Sequence, residues 1–234
     1  MSQTRFSGRG FHTLVSLAVA LTAATALTQG RQGWRDSFTV DKTNLMDTGT
    51  NPYFILEPGY RLRFAHGKDT LTVTVLNETR LVDGVRTRVV EEREIKGGKL
   101  DEVSRNYFAI DKSNSDIYYF GEEVDIYKKG QIVDHEGAWL AGENGARFGL
   151  MVPNKPRVGD KYYQEIAPKV AMDRVEIVSI TEALTVPAGK FNNCLHTRES
   201  SDLERGSEGK WYAPGVGLIR DDDYVLVGVD KEKR

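Results

Sequence analysis

The sequence predicts an all-β protein, mainly antiparallel, in which one strongly curved meander sheet forms a partial or closed barrel. Three observations support this prediction. Apolar and polar residues alternate with period two from residue 51 onward, and turn signals recur at the spacing of a meander. No stretch of twelve residues carries a convincing apolar stripe of helical period. A two-sheet β-sandwich is the alternative.

The first 26 residues have the pattern of a secretory signal peptide. Arg5 and Arg9 precede an apolar and small-residue run at 14–27, and Ala24-Thr25-Ala26 fits a cleavage site. The run is shorter than the roughly 20 apolar residues that a membrane-spanning helix needs. We therefore expect a signal peptide at 1–26, export to the periplasm or the extracellular space, and no transmembrane segment in the mature chain. An uncleaved anchor is the competing interpretation.

The rest of the chain divides into an arm and a domain. Residues 27–50 are polar without a period, and we interpret them as an N-terminal arm held by Trp34 and Phe38. Residues 51–230 carry the strand pattern and are expected to form a single antiparallel β domain.

Strand signals follow one another along this domain. The segment TLTVTVL places Leu71, Val73 and Val75 on one face, and DRVEIVSI does the same with Val175 and Ile177, which is typical of strands with one solvated face. Turn signals separate about ten such strands. They stand at 57–59, 66–69, 82–84, 96–98, 111–116, 128–130, 153–160, 186–191 and 213–217. So many strands in one sheet must curl, close or split, and closing the sheet removes its exposed edges.

Charge and cysteine content exclude several classes of protein. The net charge is −2, and it becomes −4 when residues 1–26, with Arg5 and Arg9, are removed. Such a surface offers no field to attract nucleic acid. The lone Cys194 excludes an internal disulfide and fits a small buried hydrophobe. No phosphate-binding glycine loop or other cofactor motif occurs, so we expect no cofactor.

Metal binding has only weak candidates in the sequence. Asp111 and Asp116 stand in the oxygen-rich stretch DKSNSD, and Asp221 and Asp223 belong to a run of three aspartates. Calcium needs more converging oxygen ligands than either stretch supplies. Hairpin turns account for both stretches, and the histidine spacing does not match zinc, so we expect no metal site.

Aromatic residues supply the candidate ligand-binding positions, namely Tyr107, Tyr119, Trp139, Tyr163 and Trp211. Neighbouring aromatics on a strand face opposite sides, so one of each pair is core and the other faces outward or into a cavity. Ordinary β packing explains this content. The alternative is an apolar concave face that holds a greasy ligand.

Three motifs carry a resemblance to known proteins: TGTNPYFILEPGYRLRF, VPAGKFNNCLHTRE and KWYAPGVGLIR. Over residues 36–228 the chain resembles a family of uncharacterised exported bacterial β-proteins. More remotely, VPAGKF and APGVGLIR are similar to elements of periplasmic domains related to lipoprotein carriers. That likeness implies a curved, incomplete antiparallel barrel with an apolar concave face. The helices that plug the carriers' sheet have no clear counterpart in this sequence.

Three functions remain open at this level. The favoured one is an exported, non-catalytic binding or envelope-associated protein whose partner is an apolar small molecule or a lipid. It needs a dry pocket above about 300 Å³. A carboxylate-pair hydrolase needs two acids within about 5–10 Å of each other. A structural or interaction module of the cell envelope needs an exposed apolar patch. Whether the protein is an enzyme stays open, with no catalytic residue assigned.

Overall fold

The structure is a computed structural model, and it describes residues 33–231. In that range it is all-β, with one short 3-10 helix at Lys42–Asn44. The predicted all-β class is thereby confirmed. The predicted signal peptide and the beginning of the predicted arm lie outside the described residues.

Eighteen strands are present in residues 33–231. They are β1 (Leu45–Met46), β2 (Gly49–Asn51), β3 (Phe54–Leu56), β4 (Tyr60–His66), β5 (Asp69–Val82), β6 (Val85–Lys96), β7 (Lys99–Asp111), β8 (Ile117–Lys128), β9 (Gln131–Asp134), β10 (Trp139–Leu140), β11 (Arg147–Val152), β12 (Lys161–Tyr163), β13 (Glu165–Ile166), β14 (Asp173–Val186), β15 (Gly189–Ser201), β16 (Glu208–Ala213), β17 (Gly217–Asp221) and β18 (Tyr224–Lys231).

One antiparallel sheet contains sixteen of these strands and curls into a barrel. Its order is β12-β14-β15-β16-β17-β18-β4-β5-β6-β7-β8-β11-β13, with β1 beside β7, and β9 and β10 beside β8. Most neighbours are joined by hairpins, as the turn signals predict. The pairing of β18 with β4 is different, because it sets Leu226 opposite Phe64 and joins two strands that are far apart in the sequence. The sheet has the predicted barrel form and not the alternative two-sheet form.

The sheet is nearly closed into a barrel, with one seam at residues 161–166. Strand β12 pairs with β14, and β13, which follows it directly, pairs with β11. Gln164 stands between them. Its backbone N–H donates to the Asp173 carbonyl at 2.8 Å, and its side-chain Nε2 donates to the Met151 carbonyl at 3.2 Å. One short segment therefore connects both edges of the sheet.

A separate hairpin of β2 and β3 covers one end of the barrel. Buried Asn51 donates from Nδ2 to the Ser115 carbonyl at 2.8 Å, and the Gly215 N–H donates to the Pro52 carbonyl at 2.7 Å. Phe54 of the hairpin packs on Phe108 with ring centroids 5.0 Å apart.

Neighbouring strands of the sheet run in opposite directions, so successive hairpin turns lie at alternate ends of the barrel. The turns at 83–84, 112–116 and 214–216 lie at the end covered by the β2–β3 hairpin, and we call this the covered end. The turns at 67–68, 97–98 and 222–223 lie at the other end, together with the loop at 202–207. We call that the open end.

The predicted arm runs along the barrel wall. Arg35 makes a parallel bridge to Tyr162, with Arg35 N–H to Lys161 carbonyl and Tyr163 N–H to Arg35 carbonyl distances of 3.0 Å each. Trp34 lies edge-on to Tyr163, and Phe38 lies edge-on to Tyr118. Both aromatic residues named from the sequence thus contact the sheet.

Candidate functional site

The barrel interior is the candidate site, and its half toward the covered end is apolar. There a cavity of about 80 Å³, the inner cavity, lies inside the sheet. Its apolar lining comes from strands on both sides of the β18–β4 pairing. The lining residues are Tyr53, Phe54, Ile55, Tyr60, Leu62, Val73, Val75, Val90, Phe108, Met151, Tyr212, Val216 and Leu218. Three charged residues, Glu92, Lys210 and Asp221, line the same cavity.

Buried polar side chains on β7 lie close to the apolar lining. Asn106 donates from Nδ2 to Ser104 Oγ at 3.0 Å and to the Val90 carbonyl at 3.3 Å. The hydroxyl of Tyr119 donates to Asn106 Oδ1. These bonds satisfy polar groups that would otherwise destabilise the interior.

A lysine between two carboxylates forms the centre of the charged half. Lys210 Nζ lies 3.1 Å from Glu199 Oε2 and 3.4 Å from Asp221 Oδ2. The three side chains are 22%, 13% and 21% exposed, respectively, so water screens these pairs only weakly. Burial alone would lower the pKa of Lys210, but Glu199 and Asp221 raise it well above its ordinary value. Lys210 is therefore a fixed positive charge inside the barrel.

Carboxylates line the opening around this lysine at the open end. A cleft of about 340 Å³, the acidic mouth, contains seven acidic residues and one histidine. They are Glu92, Glu94, Glu102, Glu208, Asp221, Asp222, Asp223 and His66. Glu94 accepts a hydrogen bond from the Tyr224 hydroxyl at 2.8 Å, and Asp223 lies 3.8 Å from His66 Nδ1. Because Glu92 and Asp221 line both the mouth and the inner cavity, the two spaces adjoin.

Glu92 holds a proton more readily than an ordinary glutamate. Burial raises the pKa of Glu92 to about 7; the charge of Lys210 opposes this, and Asp221 and Glu102 add to it. Near neutral pH, Glu92 therefore changes between a neutral acid and an anion where the acidic mouth meets the inner cavity.

Two half-buried acids, Glu122 and Glu165, lie toward the seam. Burial raises the pKa of Glu122 to about 8, and the charges of Glu92 and Glu102 add to this effect. Burial also raises the pKa of Glu165 well above its usual range, with Glu122 as the next cause. Two adjacent acids with little solvent cannot both ionise easily, so this pair retains a proton at neutral pH.

These raised pKa values predict an unusual dependence of stability on pH. The folded state binds more protons than the unfolded state between the ordinary glutamate pKa of 4.5 and about 8, so stability should fall as pH rises through this window. We expect a higher midpoint of thermal unfolding at about pH 5.5 than at about pH 8. Carboxyl groups with a lowered pKa, such as Glu123, titrate below this window.

A neutral replacement at position 122 tests the same point. The Glu122→Gln variant mimics the protonated acid and should be more stable than the parent protein at about pH 8, with a flatter pH profile. The Glu136→Gln variant alters an exposed residue and serves as the control. A Glu122→Gln variant that is less stable at about pH 8 than the parent would contradict the assigned protonation.

The aromatic residues named from the sequence lie on different faces of the barrel. Tyr119 and Trp139 come together, with ring centroids 5.4 Å apart. The Tyr107 hydroxyl donates to Glu123 at 2.8 Å, and the Tyr163 hydroxyl bonds Asp202. Trp211 stacks on His196 at 4.1 Å and donates from Nε1 to Glu182 at 2.7 Å. None of the five lines the inner cavity.

The four aspartates named as weak calcium candidates are also separated. Asp111 accepts bonds from the N–H of Ser113 at 2.8 Å and its hydroxyl at 2.6 Å, as a turn residue does. Asp116 accepts from the Asn154 N–H at 2.8 Å. Asp221 pairs with Lys210 in the interior, and Asp223 lies near His66. Within residues 33–231, no group of three or more histidine, cysteine or acidic side chains is arranged to hold a metal ion.

The sequence interpretation missed Glu92, Glu199 and Lys210 as interior residues. Each continues the inward side of its strand: Glu92 follows Val90 by two positions, and Glu199 follows Leu195 and Thr197 with the same period. A charged residue at an inward-facing position near a strand end was the sequence signal that could have identified these interior residues.

Comparisons with known proteins give little further information. No family model matches this chain, and no curated protein matches it. The pattern of motifs quoted above is therefore not supported by a family match. Among solved structures, the chain is similar to a protein provisionally described as a lipoprotein from Parabacteroides distasonis ATCC 8503. The identity is 13%, the match covers 78% of this chain and 100% of that chain, and the TM-score is 0.39, which is too low to support a statement about fold or function.

In residues 33–231 no helix has the length and apolar character to span a bilayer.

Proposed function

We propose that this chain is an exported, non-catalytic binding protein that holds a small amphipathic molecule inside its barrel. The observation that supports this proposal is the contact between the apolar inner cavity and the acidic mouth, through Glu92 and Asp221. An apolar pocket with a few converging polar groups is the usual composition of a small-molecule site.

The charge of the mouth favours a cationic group on the ligand. Seven acidic residues line it, of which Glu94 is paired with Lys96 at 2.9 Å and Asp221 with Lys210 at 3.4 Å. An ammonium group at the mouth would gain from these carboxylates, whereas an anionic group would be repelled. Glu92, which lies where the mouth meets the cavity, is the residue best placed to receive such a group.

The size of the cavity limits the apolar part of the ligand. The inner cavity holds about 80 Å³, whereas sites for drug-sized ligands hold about 300–1,000 Å³. A long acyl chain does not fit this space. We therefore propose a short alkyl group on an amine, in place of the apolar small molecule or lipid expected from the sequence.

Calorimetric titration with butylammonium and with butanoate tests this proposal directly. We expect saturable binding of butylammonium and no binding of butanoate. The Glu92→Gln variant should weaken ammonium binding about tenfold, by loss of one charge-assisted contact. The Glu91→Gln variant, one position away on the same strand, is the control. Equal binding of the two ligands, or an unchanged Glu92→Gln variant, would argue against the proposal.

A hydrolase is the second candidate, and the raised pKa of Glu92 is the observation that favours it. A poorly solvated acid with a pKa of about 7 shares the mouth with Asp221, an acid paired with Lys210. This combination resembles the acid and base of a glycosidase. Absence of turnover across a panel of nitrophenyl glycosides between about pH 5 and pH 8 would remove this candidate.

A further inference from the structure

A second cleft, opposite in charge to the acidic mouth, lies at the covered end of the barrel. This basic cleft has a volume of about 590 Å³ and lies between the arm, the β7–β8 turn and the loop at 153–160. It shares no lining residue with the acidic mouth. Four basic residues, Arg35, Lys155, Arg157 and Lys161, line it, against two acids, Asp116 and Asp160.

Three of these basic side chains are available to a ligand. Lys161 pairs with Glu176 at 3.3 Å. Arg35, Lys155 and Arg157 have no carboxylate within ion-pair distance in the described part of the chain. In a protein of net charge −2, three unpaired cations in one cleft form a local positive field.

The two acids in the cleft are held by backbone groups. Asp160 Oδ2 accepts from the Arg157 N–H at 3.1 Å, and Asp116 Oδ1 accepts from the Asn154 N–H at 2.8 Å. These bonds fix the loop while the guanidinium and ammonium groups stay free. The amide groups of Asn114 and Asn154, which also line the cleft, supply neutral polar groups beside the cations.

The backbone positions both arginines before any ligand arrives. Arg35 is fixed by its two bonds to β12, and its guanidinium lies 4.7 Å from the centre of the Phe38 ring. Arg157 lies in a turn closed by the bond from the Asp160 N–H to its carbonyl at 3.0 Å. Such preorganisation lowers the entropy lost when a ligand binds.

We propose that the basic cleft binds a phosphate-type oxyanion through Arg35, Arg157 and Lys155. The planar fork of each guanidinium matches two oxygens of a phosphate, and the ammonium adds a point charge. Phosphate can come from a free phosphate ester or from the headgroup of a phospholipid. Both sources present the same chemistry to the cleft.

Calorimetric titration with inorganic phosphate at an ionic strength of about 0.15 M tests the site. We expect saturable binding that the Arg157→Gln and Lys155→Gln variants each weaken about tenfold. The Arg93→Gln variant, at an exposed position on β6, is the control. No phosphate binding by the parent protein, or equal binding by all four proteins, would overturn the proposal.

Two further measurements complete the test. Sedimentation with phosphatidylcholine vesicles that contain phosphatidic acid shows whether a lipid headgroup is the source of the phosphate. If the parent protein co-sediments with the vesicles and the Arg157→Gln variant does not, the source is the lipid. If the parent protein binds inorganic phosphate but does not co-sediment, the source is a free phosphate ester. The Glu92→Gln variant should bind phosphate normally, so failure at the acidic mouth and failure at the basic cleft are distinguishable. Weaker phosphate binding by Glu92→Gln would contradict a separate site.

Discussion

Replacing Gly149 with alanine is expected to lower the free energy of unfolding by about 3 kcal/mol, because the added methyl group overpacks a buried site. Gly149 lies on β11 at the seam, where the chain crosses from β12 to β13. A Cβ at this position would lie 2.7 Å from the Tyr163 carbonyl oxygen and closer still to the Gln164 carbonyl. These neighbours are backbone atoms, so they can move only if the seam opens.

Chemical denaturation of Gly149→Ala and of a matched control measures this effect. Gly228→Ala is the control, since its Cβ would meet the outer end of the flexible Arg63 side chain, with Cζ at 2.9 Å. The Arg63 side chain can turn away, so we expect the free energy of unfolding to fall by less than about 1 kcal/mol, as for ordinary surface substitutions. Equal losses in the two variants would show that the crossing at residues 161–166 does not close the barrel.

Replacing Lys210 with methionine should have a comparable effect of about 3 kcal/mol at about pH 8. The variant leaves Glu199 and Asp221 as two unpaired carboxylates in a partly buried site. Burial already raises the pKa of Glu199 in the parent protein, so protonation of Glu199 relieves the repulsion and the loss should shrink as the pH falls toward about 5. Denaturation midpoints of the variant and the parent protein over this range give the measurement.

Three variants separate the charge effect from a packing effect. Lys210→Arg keeps the charge and should recover part of the stability. A Glu199→Gln change should stabilise the Lys210→Met variant, because it removes one of the two carboxylates that have lost their lysine partner. Lys42→Met removes an exposed pair with Asp83 and should cost less than about 1 kcal/mol. A Lys210→Met loss that does not change with pH would contradict the interior ion network.

The strands of the sheet were predictable wherever the alternation of apolar and polar residues within one strand shows which side chains are buried. In β14, Val175 and Ile177 are buried and alternate with Arg174 and Glu176, which are less buried, as the period-two pattern indicates. The seam was not predictable in this way. Its short strands β12 and β13 do not alternate over enough residues, and their partners lie on strands that precede and follow them in the chain. Because such short strands show no period-two pattern, about ten strands were expected from the sequence, whereas eighteen are present in residues 33–231.

The candidate site was predictable only in part, for a related reason. Glu199, Lys210 and Asp221 lie on the sequential strands β15, β16 and β17, so local hairpins bring them together. Glu92 reaches Asp221 only because β18 pairs with β4, a contact between distant parts of the chain. Aromatic content pointed instead to residues such as Tyr107 and Trp211, whose polar atoms bond acidic side chains away from the inner cavity.

The pairing of β4 with β18 also has a consequence for the kinetics of assembly. The hairpins of β4 to β8 and of β14 to β18 form from neighbouring segments, but the join between them waits until residues near 60 and near 230 meet. Loop closure over such a distance slows folding, so we expect a rate in the millisecond-to-second range of about 1–1,000 s⁻¹ that is typical of high contact order. Until that join forms, β4 and β18 present unpaired edges, and this intermediate is the species most exposed to aggregation.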